Sequence, residues 1–345
     1  MTGKLTLGFD CLRTAQTSQA NMTISKTIDV SICIVNWNTK ELLRDCLNSI
    51  KERTAGLTCE IIIVDNDSRD ESVQMVKSSY PECLIVESKE NLGFARGNNE
   101  AVKNASGKYI FYLNPDTELI TNAIYGMFIF LEKNADFGAV GCKLVTSDGE
   151  IQFTCARTFP TPFNQFSLLA MLNRLFPRSR QLSTVEMEHW DHTDSREIDC
   201  LSGACIMARK HIIDGLNGFD DAFFMYAEDV DLCYRIRNEG WKIYYLAEER
   251  IFHHEGASSK KKANRHFSAI MQRVSNCYFF TKHFGRIKAL KYRAAVAAGS
   301  IIRLFVLMFL TPILVKTNPE KVSTDSFPKY WNLFLWALGL RNIHR

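Results

Sequence analysis

No two cysteines in the sequence stand in a C-x-x-C spacing, and no glycines form a G-x-G-x-x-G pattern. The first absence excludes a zinc knuckle. The second sets aside a dinucleotide cofactor, because neither of the first two apolar runs leads into such a loop. Charge of one sign is also scarce: the formal net charge is +4, too small to argue for a nucleic-acid partner, and none is expected. Residues 1–28 are polar and aperiodic and contain no apolar core of a secretion signal, so export is not expected. They read as a disordered or over-extended N-terminus, with Met22 just ahead of the first strand. The eleven cysteines are an odd number. Several, such as Cys33, Cys142 and Cys205, lie in apolar runs where Cys acts as a small hydrophobe, which fits a reducing compartment.

What is present is an ordinary core. Hydrophobic residues make up 46% and charged residues 23% of 345 positions, enough for one large domain with an appendage, or for two domains. Short apolar runs at Val30–Val35, Glu60–Val64 and Tyr109–Leu113 predict buried strands, and Leu84–Val86 reads as a further strand. Between them, residues 40–53, the stretch after "DNDSRDES" and residues 93–105 read as helices; Leu42, Leu43, Cys46, Leu47 and Ile50 have helical spacing. This alternation predicts an α/β fold with a mainly parallel sheet covered on both faces. Residues 121–134 then read as a helix and Ala139–Val145 as a strand. Residues 157–198 are irregular, broken by Pro160, Pro162 and Pro177, and a loop region of that length is usually functional. "CLSGACIMARK" reads as a strand, "EDVDLCYRIRNEG" as a short helix, and "KIYYLA" and "RIFHH" as two strands.

The most apolar stretch is Ala294–Val315, long enough to cross a bilayer. Arg303 near its middle and Pro312 oppose a simple span. "YWNLFLWALGL" follows, with Trp331 and Trp336 of the kind found at membrane–water interfaces. Lys288, Lys291 and Arg293 precede the stretch and suit an anionic surface. The expectation is a helical C-terminal region lying on or in a membrane; a helical pair packed on the first domain is the alternative.

Four clusters can carry chemistry. Asp65 ends a buried strand, where it can either cap the following helix or accept hydrogen bonds from a nucleobase or ribose. Asn114-Pro115-Asp116 ends another. It is good turn chemistry, but a carboxylate at the carboxyl end of a strand also sits where α/β sheets bind ligands. Asp116 could hold a hard divalent metal whose shell is completed by phosphates, with Asn114 offering only a neutral oxygen. Glu228, Asp229 and Asp231 cluster at a helix start, where carboxylates complement the helix dipole and where Asp229 would stay ionised as a general base. His253 and His254 end an apolar strand and must point to opposite faces, so one of them can join Asp116 at a metal.

Taken in order, "SICIVNWN", "EIIIVDNDSRDES", "ENLGFARGNNEAV", "YIFYLNPDTEL", "CLSGACIMARK", "GFDDAFFMYAEDVDLCYRIRNEGW" and "IFHHEGAS" resemble the blocks of bacterial family 2 glycosyltransferases over roughly residues 30–260. Within the family they most resemble the rhamnosyltransferase-like group of cell-surface polysaccharide assembly. The resemblance implies a GT-A fold: a nucleotide-sugar-binding half (29–119) and an acceptor-binding half (120–262), followed by a membrane-associated helical region (263–345). It implies inverting transfer, possible for rhamnose, from a nucleotide-diphosphate sugar to a glycan or lipid-linked acceptor, with Mg2+ or Mn2+, at the cytoplasmic face of the plasma membrane. Asp229 would be the base with Glu228 beside it, and Asp65 would hold the base or ribose. Asp116 and His253, the histidine in the His-x-x-Gly-x-Ser spacing, would be metal ligands. Asn36, Asn66, Gly93, Arg96, Asn98, Asn114 and Gly203 lie in matched blocks as further donor-binding candidates. One departure is Asn114, which stands where the usual Asp-x-Asp motif has its first carboxylate and so removes a charge. Two other classes stay open: a nucleotidyltransferase on sugar phosphates, which would need a glycine-rich loop that "NWNTKELL" lacks, and a membrane scaffold that retains an inactive transferase domain. Nothing in the sequence indicates an oligomeric state.

Overall fold

A computed structural model describes residues 27–254, 262–317 and 326–340. The expectations for residues 1–26, for Glu255–Ser258 and for the parts of the C-terminal region at 318–325 and 341–345 lie outside the described residues. In chain order the elements begin with β1 (Val30–Asn36), α1 (Lys40–Arg53), β2 (Cys59–Asp65), α2 (Ser72–Ser79), β3 (Leu84–Glu87) and α3 (Gly93–Lys103). Next come β4 (Tyr109–Leu113), β5 (Thr117–Leu119), α4 (Ala123–Lys133), β6 (Phe137–Val145) and β7 (Ala156–Arg157). They are followed by α5 (Pro162–Leu169), α6 (Leu172–Leu175), β8 (Arg196–Ile198), β9 (Cys200–Leu201) and β10 (Cys205–Arg209). The chain continues with α7 (Lys210–Gly215), α8 (Glu228–Asn238), β11 (Lys242–His253), α9 (Lys262–Thr317) and α10 (Ser326–Ala337).

The main sheet runs β3-β2-β1-β4-β10-β6-β11-β5, with β8 also on β11. β1 to β4 pair in parallel, and β10 runs antiparallel between β4 and β6. β1 and β4 are buried along nearly their whole length, so the centre of the sheet is covered on both faces and reads as a continuous apolar run. In α1, Leu43, Cys46, Leu47 and Ile50 form the buried stripe that its spacing predicts.

Three sequence readings change. Residues 157–198, expected to be irregular, contain α5, α6 and β8. "CLSGACIMARK" is not one strand: β9 pairs with β7 in a separate ladder, and the chain turns at Ser202–Ala204 before β10. "KIYYLA" and "RIFHH" are one strand, β11, with a register shift on β6 between Leu246 and Arg250. The polar Ala-Glu-Glu run looks like a turn, but side chains replace the ladder there. Ala247 N donates to Ser195 Oγ at 2.7 Å and Arg250 N to Thr121 Oγ1 at 3.1 Å, so the strand bulges and continues.

The expected boundary at residue 262 falls at the start of α9. This helix breaks at Gly285 (φ 78°, ψ 174°), a conformation that favours glycine. Ahead of the break it packs on the α/β body: Phe279 and Phe280 are buried, and Phe279 stacks edge-on to Tyr234 of α8. Beyond the break it packs against α5, where Leu169 closes on Gly299, and against α10. Arg293 donates to the carbonyls of Trp336 (2.7 Å) and Ala337 (3.0 Å), so it closes the end of α10 instead of standing free. Arg303 lies 5.0 Å over the Tyr330 ring, and Trp336 is buried while Trp331 is exposed. Ser268–Phe309 is long and apolar enough to cross a membrane by length and composition alone.

Candidate active site

Asn36 and Asp65 are register partners at the carboxyl ends of β1 and β2. Both are buried, and Asn36 Nδ2 donates to Asp65 Oδ1 at 2.9 Å. The Ser68 N–H donates to Asp65 Oδ2 at 2.9 Å, so Asp65 organises the turn after its own strand and keeps only its remaining lone pairs for a ligand. Asn66 is 2% exposed; its Nδ2 donates to Gly93 O at 3.1 Å, while its Oδ1 has no partner. A buried acceptor without a donor is costly, which makes this oxygen the best-placed group here for a ligand N–H. Gly93 (φ 77°) opens α3, where a Cβ would stand 2.8 Å from the Phe224 carbonyl. Arg96 is on the exposed side of α3, paired with Glu90 at 3.3 Å. The Asn98 amide donates back to Phe94 O at 3.0 Å, so it is spent within its own helix. Neither Arg96 nor Asn98 is brought to the Asn36–Asp65 pair by these contacts.

At the end of β4, the Asn114-Pro115-Asp116 turn meets the end of β11, where His253 pairs with Thr117. His253 Nε2 lies 3.4 Å from Asp116 Oδ1 and 3.5 Å from the Asn114 amide. Its other nitrogen, Nδ1, is 2.7 Å from Gln152 Oε1, and Gln152 Nε2 donates to the His253 carbonyl at 2.7 Å. Nδ1 is held by Gln152 Oε1, which turns Nε2 toward Asp116, the ring orientation found for metal-ligating imidazoles. Burial raises the Asp116 carboxyl, but the His253 side chain, the local backbone and His254 together hold it below its ordinary value. His254 faces the other way, onto Glu118 at 2.6 Å. Among the described residues no three His, Cys, Asp or Glu side chains converge. The donor set is therefore one carboxylate, one imidazole and one neutral amide, which fits an Mg2+ or Mn2+ ion that keeps positions for phosphate oxygens.

The third cluster is at the start of α8. Tyr226 (φ 67°) and Ala227 (φ 63°) are consecutive non-glycine residues in the left-handed region, a strain of about 1–3 kcal/mol each that persists only where the surroundings impose it. Here α9 helps to impose it, since Ser275 Oγ donates to the Met225 carbonyl at 2.8 Å. Asp229 Oδ2 accepts from Arg157 Nη2 at 2.5 Å and from the Gly203 N–H at 3.0 Å. Among the described residues Oδ1 accepts only from the Val230 N–H at 2.8 Å, so Oδ1 retains a lone pair. Burial, reinforced by the Asp229 charge, pushes the Glu228 carboxyl up to about 8. Its Oε2 is buried without a partner. Burial and the neighbouring carboxylate thus bias Glu228 toward its neutral form.

The clusters share one turn. The Asn114 N–H donates to the Ala204 carbonyl at 3.1 Å, and the neighbouring Gly203 N–H holds Asp229. Gly203 also packs against Phe94 of α3. Sequence reasoning missed Arg157 and Gln152. Arg157 is in a short strand inside a segment read as irregular, and Gln152 stands 101 residues from the histidine it orients; neither belongs to a local pattern.

The model of the family described as "Glycosyl transferase family 2" matches residues 31–214, which ends before Asp229 and His253. The O-antigen biosynthesis protein RfbC of Myxococcus xanthus is 27% identical over 240 residues, 69% of this chain but 18% of that protein. An N-acetylglucosaminyl-diphospho-decaprenol L-rhamnosyltransferase of Mycobacterium tuberculosis is 24% identical over 220 residues, 61% of this chain and 71% of that protein. In fold, the chain is similar to the mannosyltransferase PcManGT from Pyrobaculum calidifontis, solved with GDP-Man and Mn2+. The TM-score is 0.55 at 14% identity, covering 92% of this chain and 88% of the other. The expected GT-A fold is thus the fold observed.

Proposed function

This chain belongs to glycosyl transferase family 2, and on that premise we propose that it is an inverting hexosyl- or deoxyhexosyltransferase of cell-surface polysaccharide synthesis. It would move a sugar from a nucleotide-diphosphate donor to a hydroxyl of a glycan or lipid-linked acceptor. Rhamnose is the first sugar to test, because one relative is named a rhamnosyltransferase. The observation that carries the reading is the hydrogen-bonded path from Asn114 through Ala204 and Gly203 to Asp229. It ties the Asp116–His253 pair and the free lone pair of Asp229 to a single turn.

In this reading Asn36, Asp65 and Asn66 receive the nucleoside, and Gly93 lets α3 begin close to it; Arg96 braces the start of α3 from outside through Glu90, and Asn98 supports the helix from within. Asp229 Oδ1 takes the proton of the acceptor hydroxyl. The acceptor oxygen forms its bond to the anomeric carbon from the face opposite the diphosphate, and the bond to the diphosphate oxygen breaks with its electron pair leaving on that oxygen. Asp116 and His253, with Asn114 as a neutral neighbour, would hold Mg2+ or Mn2+, which when bound offsets the charge on the departing diphosphate. Holding both reactants in line contributes much of the remainder.

The division into a nucleotide-sugar half (29–119), an acceptor half (120–262) and a helical membrane-associated region (263–345) belongs to the same reading, with α9 ahead of Gly285 docked on the catalytic body. Ile287, Leu290, Phe305, Met308 and Phe309 are exposed on α9 beyond the break, and Lys288 and Lys291 are exposed beside them. These support attachment to the cytoplasmic face of the plasma membrane, where a lipid-linked acceptor would share the surface.

The test is product analysis by mass spectrometry after incubation with a panel of nucleotide-diphosphate sugars and a lipid-linked acceptor, with and without Mg2+ or Mn2+. A sugar added to the acceptor is expected. Sugar phosphate and nucleoside triphosphate yielding diphosphate, or no donor binding in titration calorimetry, would sink the reading.

A further inference from the structure

The segment between Glu150 and Glu186 contains no Asp or Glu. It includes Arg174, Arg178 and Arg180 within seven positions, all exposed, and among the described residues none of the three forms an ion pair. Between and beside them are Leu175 (68% exposed) and Phe176 (54% exposed), with Phe163 of α5 also exposed. A large exposed apolar pair at the tip of a four-residue helix, flanked in sequence by three arginines that form no ion pair among the described residues, suits an external partner. Its position explains it. α5 packs on α9 through Leu169, which closes on Gly299, and α6 begins three residues later at Leu172. Three residues span about 11 Å at most, so α6 starts within that distance of the point where α5 meets Gly299, and the next residues of α9 expose Ile301, Ile302 and Phe305.

We propose that the α6 tip, Arg174–Arg180, is a second contact with an anionic lipid surface, continuous with the exposed apolar face of α9. This rests on the membrane attachment proposed above and deepens it. Leu175 and Phe176 enter the headgroup region while the three arginines meet lipid phosphates. This is the combination of buried apolar area and basic charge that holds proteins at an interface. Two contacts on different elements fix the tilt of the catalytic body on the bilayer, which one helix alone does not. The segment joining β7, whose Arg157 holds Asp229, to β8 is thereby anchored to the surface on which a lipid-linked acceptor moves.

The test uses the full chain and vesicles of phosphatidylcholine alone or with about a third phosphatidylglycerol, read by co-sedimentation at low and moderate salt. Three variants are compared with wild type: Arg174→Glu with Arg178→Glu and Arg180→Glu; Leu175→Ser with Phe176→Ser; and Phe305→Ser with Phe309→Ser on α9. Both α6 variants should bind anionic vesicles about tenfold or more weakly, while lysine at the three arginine positions keeps binding. Melting temperature and nucleotide affinity should not change. If the α6 variants bind like wild type while the α9 variant is weakened, the second contact is overturned and attachment through α9 stands. If wild type binds neither vesicle, both readings fall. A change in sedimenting mass of the α6 variants without lipid would assign the tip to self-association and overturn the proposal. Should the serine pair unfold the protein, the arginine set decides alone.

Discussion

Arg157 Nη2 and Asp229 Oδ2 are 2.5 Å apart, an ion pair between a two-residue strand and the first turn of α8, both side chains largely buried. The same Nη2 also donates to the Leu201 carbonyl at 2.7 Å, so Arg157 ties Asp229 to the β7–β9 ladder. One Asp229 oxygen is thus occupied and the other is aimed. Replacing Arg157 with Met should lower turnover on the order of a hundredfold through misplacement of the base, with donor affinity within about twofold. Lysine should restore part of the loss. Donor affinity falling as far as turnover would reassign Arg157 to the donor site.

Asp229→Asn should abolish transfer, by on the order of a hundredfold or more, while donor binding persists, since an amide cannot take the acceptor proton. Wild-type turnover in this variant would remove Asp229 from the role of base.

Glu228 gives a pH-dependent counterpart. Its native carboxyl is pushed up to about 8 by burial and by Asp229. In the unfolded chain it ionises near its ordinary value of 4.5. Between these values the unfolded state binds fewer protons than the native state, so this group's contribution to stability is present in full below the lower value and falls as pH rises toward about 8. Glu228→Gln removes that dependence. Melting curves across this range should show wild type losing more than Glu228→Gln; parallel curves would mean that Glu228 is ionised in the native protein.

For the metal, Asp116→Ala and His253→Ala should both weaken Mn2+-dependent donor binding, and His254→Ala, whose ring is on Glu118, should do so less. Gln152→Ala should weaken Mn2+ binding by about tenfold through loss of the imidazole's orientation. Titration calorimetry with Mn2+ reads all four. A larger loss for His254→Ala than for His253→Ala would show that the wrong face of β11 was chosen.

Where the signal is local, the sequence carries it. The limits of α1, the burial of β1, β2 and β4 and the split between His253 and His254 follow from periodicity over a few residues. The turn at Gly203 and the bulge in β11 do not, because side chains from distant segments, Asp229 at the turn and Ser195 and Thr121 at the bulge, complete their hydrogen bonds. Arg157 and Gln152 act across 72 and 101 residues, and no pattern in their own neighbourhood marks them. At the C-terminus the apolar composition was legible, but the partners of Arg293, Arg303 and Trp336 are set by how α10 returns on α9.

The last prediction concerns where the catalytic body ends. Asp231 of α8 is fully buried. It accepts from Arg235 on its own helix, and from Lys282 and His283 of α9, each at 2.7 Å. Burial opposes its charge, but these partners win, and the carboxyl is held down at about 2. A chain ending at residue 261 would leave that carboxylate with Arg235 alone and expose Phe223 and Tyr234, which α9 covers. Loss of partners from a buried charge costs on the order of 3–5 kcal/mol, a large share of a typical domain's stability. A chain ending at residue 287 keeps Lys282 and His283 together with Phe279 and Phe280, and loses only the part of α9 beyond Gly285 with α10. The shorter chain is therefore expected to aggregate. The longer is expected to be folded, soluble without detergent and able to bind donor, while the full chain pellets with membranes at low salt. Sedimentation of the three chains, with calorimetry on the soluble ones, decides the matter. A folded chain ending at residue 261 would place the whole of α9 outside the catalytic body. Full-length protein wholly in the soluble fraction would remove the membrane from the account.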